Sequence, residues 1–390
     1  MEKMNKPMDV PAPSGKKSDR IRAVVMTLVF SLFLGVFFIL CVTHKPLEKS
    51  ESERRPLAQF PELTWESIVD VSAMEDFDEY VMDQFPFREG FRKLYTFYQM
   101  HIMNRKDTNN IAMENGYLAE IKKDVNEKSV QNAVEKIMMI YNAYLKEKDE
   151  GSVYFSIVPD KGYFLAKEGY LSLDHDRLVE MMKEGLSEAE MEYIDIFGEL
   201  SLESYYKTDT HWSQDKIGSV AEKIATALGV ADRLSGSYKT NALENFYGVY
   251  AGQIALDVKP DTMYYLTNDV LDACTVYDYE TGKKGKIYDL AKFEGTDGYD
   301  VFLSGTRALL RIDNPNATTD EELVIFRDSF GSSLTPLLAE GYKSIYIVDI
   351  RYVAPSLLSR FKIPFETADV LFMYSTLILD SSFGFKGWNG

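Results

Sequence analysis

The sequence predicts an α/β fold, a mostly parallel sheet packed between helices, held outside a membrane by one N-terminal span. Three observations carry that expectation. Short apolar runs at 153–158, 323–326 and 344–350 have the length and β-branched content of fully buried strands. Amphipathic helical patterns stand beside them with short links, the mark of parallel strand–helix–strand crossovers. A charge-free run from Ala23 to Val42 is long enough, at about 1.5 Å per residue, to cross a bilayer core of roughly 30 Å.

Residues 1–22 read as a cytoplasmic tail. Lys16, Lys17, Arg20 and Arg22 stand before the apolar run and set the N-terminus inside by the positive-inside rule. Residues 23–43 read as an uncleaved transmembrane signal anchor. The alternative is a cleaved signal peptide, but Cys41, Val42, Thr43, His44 and Lys45 make a poor cleavage site. Residues 44–110 read as an extracytoplasmic linker and helical neck. Pro46, Pro56 and Pro61 with the charged run 51–55 keep the linker extended. The segment 68–103 is helical in pattern, with a bend at Asp83-Gln84-Phe85-Pro86-Phe87-Arg88, because proline removes a donor and disfavours helix before it.

The main domain is expected over 111–390. Asn115-Gly116, flanked by Ile111, Met113, Tyr117 and Leu118, predicts a hairpin. Val130, Ala133, Val134, Ile137, Met138, Tyr141, Tyr144 and Leu145 recur at helical spacing, ended by Gly151, and the strand 153–158 follows. Residues 193–197 read as a second strand. Ile217, Val220, Ala221, Ile224, Ala225 and Leu228 mark another helix, with Ser213 as its N-cap, Asp215 in its first turn and Gly229 as its stop. Residues about 235–319 lose this rhythm and read as an insertion of short strands and loops, with a hairpin at 282–285. The α/β pattern returns as a strand at 323–326, a helix at 332–340, a strand at 344–350 and a last strand at 369–373.

Composition narrows the function classes. Net charge is −18, and the first 22 residues hold six Lys/Arg against three Asp/Glu, which leaves the remainder near −21. Such a surface does not invite nucleic acid or anionic lipid. Cys41 in the span and Cys274 outside it leave the exterior portion without an internal disulfide, which fits a bacterial exterior. Four scattered histidines and no cysteine cluster give no metal site, and no phosphate loop or dinucleotide fingerprint occurs, so no cofactor is expected.

Two motifs carry chemistry: Asp209-Thr210-His211-Trp212 and Arg327-Asp328-Ser329-Phe330-Gly331. Ser329 follows a predicted strand and precedes a predicted helix, at the carboxyl edge where open parallel sheets bind ligands. Helix N-termini there supply free N–H groups that stabilise an oxyanion. A plain helix cap is the structural alternative. Asp209 and His211, two apart on an extended segment, point the same way, so the carboxylate orients the ring. Together the three residues have the chemistry of an Asp–His–Ser triad.

These motifs resemble the DHHW protein family of Gram-positive bacteria, which is related to the alginate O-acetyltransferase group with SGNH-hydrolase-like domains. Further matches are Asp83-Gln84-Phe85-Pro86-Phe87-Arg88, Val158-Pro159-Asp160-Lys161, Tyr247-Gly248-Val249-Tyr250, Phe302-Leu303-Ser304-Gly305 and Asp349-Ile350-Arg351-Tyr352. The resemblance implies an SGNH-hydrolase-like α/β/α sandwich with Ser329 as nucleophile, His211 as base and Asp209 as its orienter. It also implies O-acetylation of a cell-surface polysaccharide, beside a multispanning membrane O-acyltransferase partner. Thr210 stands where the family name has a histidine. Arg327 stands where the acetyltransferases carry glycine, and there it narrows the site or binds an anionic sugar group. Gly305 and Asn314 are candidates, by residue type, for the second oxyanion donor. Lys161 and Arg351 end predicted strands at the same sheet edge, as ion-pair partners or substrate contacts. An O-acetyl esterase with the same triad, and a non-catalytic surface scaffold or glycan-binding protein, are the alternatives.

Overall fold

The computed structural model describes residues 16–50 and 52–390, so most of the expected cytoplasmic tail, residues 1–15, and Glu51 of the linker lie outside the described residues. The chain divides into two compact units, one ending the N-terminal stretch at Ser50 and resuming over Arg55–Arg92, the other holding Glu51–Arg54 and Lys93–Gly390. The division falls at Arg92, earlier than the boundary expected at residue 110.

In the first unit a helix runs Lys16–Thr43, and Ser18–Thr43 of it is long and apolar enough to cross a membrane. Helices Trp65–Val69 and Ser72–Asp83 follow. Thr64 caps the first by accepting from Ser67 N–H at 3.1 Å. Helix stops at Gln84 and resumes at Arg88, so the proline segment is the bend its chemistry requires. The Arg55 guanidinium grips both oxygens of Asp83, at 2.7 and 2.6 Å, and holds that carboxyl down to about 2.

The second unit is built on one eight-stranded sheet. Its strands, in chain order, are β1 (Val153–Val158), β2 (Glu192–Ile194), β3 (Thr275–Asp278), β4 (Lys283–Gly285), β5 (Leu309–Asp313), β6 (Glu322–Arg327), β7 (Ser344–Val348) and β8 (Asp369–Ser375). Their spatial order is β4-β3-β5-β7-β6-β8-β1-β2. From β7 to β2 every pairing is parallel, while β5, β3 and β4 add antiparallel.

Successive side chains of a strand face opposite sides, and here both sides are covered. Leu323, Ile325, Ile345, Ile347, Leu371 and Met373 join the core under α3 (Gly218–Ala227) and the segment 330–342. Val324, Phe326, Tyr346, Val348, Val370 and Phe372 join the core under α1 (Glu127–Ile140) and α2 (His175–Gly185). Burial on both faces is why these strands read as unbroken apolar runs. The chain therefore has the three-layer α/β/α sandwich that the sequence predicts.

Several expectations are corrected. Within 235–319, strands β3, β4 and β5 belong to the main sheet, because the backbone of β5 pairs with β7 along its whole length. Only the ribbon Lys239–Phe246 with Asp261–Thr267 stands apart from it. Ser213 stands at the N-cap position of a 3₁₀ turn, Gln214–Lys216, with its hydroxyl donating to the Asp215 carboxylate, and α3 begins only at Gly218. The helix expected at 332–340 is a short α-helix, α4 (Phe330–Leu334), continued as a 3₁₀ turn over Thr335–Gly341, where Pro336 removes an amide donor. Strand β2 stops at Ile194, since Asp195 Oδ1 turns the chain by accepting from Phe197 N–H at 3.0 Å.

Leu371 lies at the centre of β8 with no exposure. Leu371→Ala is expected to cost about 2–5 kcal/mol, read as a lowered denaturation midpoint with an unchanged denaturant slope.

Candidate active site

β6 is apolar from Leu323 to Phe326 and buried from Leu323 onward, so it delivers Ser329 to the carboxyl edge of the parallel sheet. Ser329 is half-buried and stands at the N-cap of α4. Asp328, fully buried, holds the turn: its Oδ1 accepts from Phe330 N–H at 3.0 Å and its Oδ2 from Ser375 N–H at 2.7 Å. The second bond ties the end of β6 to the end of β8. Gly331 is required here, because a Cβ on it would meet Arg327 Cβ at 2.7 Å and Cγ at 2.8 Å. Among the described residues none accepts a hydrogen bond from the Ser329 N–H.

Asp209 and His211 lie in a loop closed by a bridge between Tyr205 and Trp212 and by Tyr206 N–H donating to His211 O at 3.1 Å. The segment is turned rather than extended, since Asp209 Oδ1 accepts from the His211 N–H at 3.0 Å. The same oxygen lies 2.6 Å from His211 Nδ1, and His211 Nε2 lies 2.7 Å from Ser329 Oγ. The loop is fastened from both sides. Asp261 accepts from Lys207 N–H, Thr208 N–H and the Thr208 hydroxyl at 2.8, 2.8 and 2.6 Å. Trp212, fully buried, donates Nε1–H to Phe330 O at 3.2 Å and to Ser333 Oγ at 2.9 Å, which locks the loop to α4.

Asp209 Oδ2 accepts from Val249 N–H at 2.9 Å. That approach depends on Gly248, whose Cβ, if present, would overlap the backbone of Asp209. Burial pushes the Asp209 carboxyl up, but the His211 charge and the hydrogen bonds from His211 and Val249 outweigh it and hold it below the usual carboxylate range. A carboxylate fixed on Nδ1 leaves Nε2 as the acceptor for the Ser329 proton. The arrangement can take a proton from a serine hydroxyl and return it to a leaving group.

The other sequence candidates are placed as follows. Lys161 is buried, donating Nζ to Tyr206 O at 3.0 Å and Lys207 O at 3.2 Å, over the Tyr250 ring. Burial pushes its ammonium down to about 7 against the pull of Asp209, Asp261 and Asp160. Arg351 pairs with both oxygens of Asp349, at 2.9 and 2.6 Å. Arg327 is 1% exposed, its stem lies against Gly331, and its Nη1 donates to Asp328 O at 3.2 Å and stands 3.8 Å from Asp349. It is therefore packed inside the protein rather than standing at an open surface. Gly305 donates its N–H to Phe302 O at 3.1 Å, so that donor is already engaged. Asn314 lies at the far end of the sheet, where β5 ends and β7 begins, donating its side-chain amide to Ala339 O at 3.0 Å.

Sequence reading assigned no role to Tyr299, whose ring stacks on His211 with centroids 3.8 Å apart and planes 5° apart. One tyrosine among 25 carries no local signal that would single it out. Gly248 was visible as part of the motif Tyr247-Gly248-Val249-Tyr250, and a glycine between bulky residues is the sort of signal that marks close backbone approach.

A family model described as DHHW protein matches residues 197–348, the stretch that holds both chemical motifs. The chain is similar in fold to a DHHW family protein from Eubacterium siraeum, with 22% identity and a TM-score of 0.56 over 70% of this chain and 93% of that one. It is also similar to Bacillus cereus PatB1, solved with a sulfonyl adduct, with 18% identity and a TM-score of 0.53 over 69% of this chain and 95% of that one. At these identities the likeness is one of fold, and the fold is SGNH-hydrolase-like. No curated protein matches the sequence.

Gly248→Ala is expected to destabilise the protein by about 1–3 kcal/mol through overpacking on Asp209. Gly218→Ala, where an added Cβ meets nothing within 4 Å, is expected to leave unfolding unchanged or slightly delayed. Asp209 has a depressed folded-state pKa, so its stabilisation is in place above about pH 4 and is lost as pH falls through the lower folded value. Unfolding measured at stepped acidic pH is therefore expected to show a shallower decline for Asp209→Asn than for the unaltered protein.

Proposed function

We propose that this chain is a membrane-anchored serine acyltransferase acting outside the cytoplasm, with acetyl as the acyl group and a cell-surface polysaccharide as the acceptor. The observation that carries the proposal is the unbroken line from Asp209 Oδ1 through both nitrogens of His211 to Ser329 Oγ, at 2.6 and 2.7 Å. The apolar N-terminal helix supports an anchor with its N-terminus in the cytoplasm, by the basic residues that precede it. Acetyl and polysaccharide rest on the family resemblance, as does a multispanning partner that supplies the acyl group.

In this reading Ser329 Oγ attacks the carbonyl carbon of the acyl donor while its proton passes to His211 Nε2. Asp209 balances the charge that forms on the imidazole. The tetrahedral oxygen meets the unengaged Ser329 N–H. Collapse breaks the bond to the donor's leaving group, which takes the proton from His211, and leaves an ester on Ser329. A sugar hydroxyl then gives its proton to His211 and attacks the ester, and Ser329 leaves by taking that proton back from His211. The sulfonyl adduct of PatB1 suits a fold that presents an activated nucleophile.

Full-length protein in detergent, treated with phenylmethylsulfonyl fluoride and mapped by peptide mass, is expected to carry the sulfonyl group on Ser329. Ser329→Ala should remain unlabelled, and His211→Ala should label about 10²–10⁴-fold more slowly. Labelling elsewhere, or at equal rates with and without His211, would remove the basis for an activated serine.

A further inference from the structure

We propose that Tyr299 is a positioning residue of this site: its ring is the surface that fixes the His211 imidazole and stabilises that ring when it carries a second proton. The proposal rests on the Asp209–His211–Ser329 reading and adds to it a group that touches neither substrate nor nucleophile.

The edges of the imidazole are taken by Asp209 at Nδ1 and Ser329 at Nε2. One face is covered by an aromatic ring, and a second aromatic ring stands beside it. Tyr299 lies parallel at 3.8 Å, and Phe330 is tilted by 57° at 5.0 Å. A neutral imidazole packs against any apolar surface of the right shape. An imidazolium is different, because the negative face of an aromatic ring attracts a cation within about 6 Å. Asp209 thus meets the developing charge at the edge of the ring and Tyr299 meets it across the face.

Tyr299 is held in place more firmly than packing alone demands. Its hydroxyl donates to Ser333 Oγ at 2.8 Å, the same oxygen that accepts from Trp212 Nε1, so base, stacking ring and nucleophile helix share one hub. Its backbone N–H donates to Asp297 Oδ1 at 3.0 Å. Behind it, Leu303, Ser304 and Gly305 are three successive residues in the left-handed region, with φ of 56°, 58° and 80°. Two of the three carry a Cβ, and such runs persist only where the surroundings impose them. Leu303 N–H donates to Ile287 O at 2.8 Å, Ser304 Oγ to Asp289 at 3.2 Å, and Gly305 has no room for a Cβ beside the Asp300 carboxylate. This turn clamps the segment that presents Tyr299. Burial also drives the Tyr299 hydroxyl well above the usual phenol range, so it stays a donor and adds no negative charge of its own beside the base.

The test follows the protonation of His211 directly. The chain has four histidines, so full-length protein in detergent with ¹³C-labelled imidazole carbons gives four resolvable signals, and His211→Gln identifies one of them. Tyr299→Phe is expected to leave the His211 titration midpoint unchanged. Tyr299→Leu, which keeps the site apolar but removes the π face, should lower it by about half a unit to one unit. Pentafluorophenylalanine at position 299, which keeps the ring's shape and inverts its charge distribution, should lower it as well, and this variant decides the matter if the leucine variant does not fold. A midpoint unmoved by the fluorinated ring, or moved as far by phenylalanine as by leucine, overturns the proposal. Sulfonylation of Ser329 measured on the same sample separates the two readings. Label without a midpoint shift rejects Tyr299, while a shift without label supports Tyr299 and rejects Ser329 as nucleophile.

Discussion

A carboxylate taken out of water must be supplied with donors, and Asp209 draws distant parts of the chain together to supply them. One oxygen accepts from the backbone and ring of His211, the other from Val249 N–H. The first demand turns the 209–211 loop, and the second brings the backbone at Gly248 against Asp209, closer than any side chain would allow. Left unpaired, a buried charge of this kind costs several kcal/mol, roughly. The surrounding order follows from that constraint. Asp261 ties down Lys207 and Thr208 at the start of the loop, Lys161 draws in the Tyr206 and Lys207 carbonyls, and Trp212 joins the far end of the loop to α4.

Ser329 is held by an independent device. Asp328 cross-links the ends of β6 and β8, so the serine's place is set by two neighbouring interior strands of the sheet. The loop that carries His211 and the turn that carries Ser329 then meet through the Nε2–Oγ bond and the Trp212 bonds to α4, and Tyr299, stacked on His211, ties to the same helix through its hydroxyl on Ser333. A site assembled this way is fastened on both sides of the His211–Ser329 contact, which is the preorganisation that the proposed acyl transfer requires.

Much of this was legible in the sequence, and the reason is periodicity. β1, β6, β7 and β8 are buried on both faces, so each wrote an unbroken apolar run, and α1 and α3 wrote amphipathic repeats. The Asn115-Gly116 hairpin and the bend at Pro86 were set by local backbone chemistry alone. What failed was non-local. β3, β4 and β5 lie at the antiparallel end of the sheet: β4 is exposed at Lys283, Lys284 and Gly285, and β5, though apolar at Leu309, Leu310 and Ile312, carries no local sign that it pairs with β7. Arg327 read as a cation at the mouth of a pocket, because nothing in the sequence says that its stem fills the space left by Gly331. Asn314 and Gly305 were chosen by residue type, and type carries no information about which end of a strand a residue occupies or whether its N–H is free. Asp209, His211 and Ser329 were legible because short-range spacing and a strand-to-helix junction place them, whereas Tyr299 meets His211 only through tertiary packing.

The most direct measurement is trapping of the covalent intermediate. Full-length protein mixed with a chromogenic acetate ester, quenched in acid within one turnover and digested, should yield one acetylated peptide, the one containing Ser329. The acetyl group should be absent from Ser329→Ala and strongly reduced in His211→Ala. An acetyl group on another residue, or none while the ester is still cleaved, would contradict a nucleophilic role for Ser329.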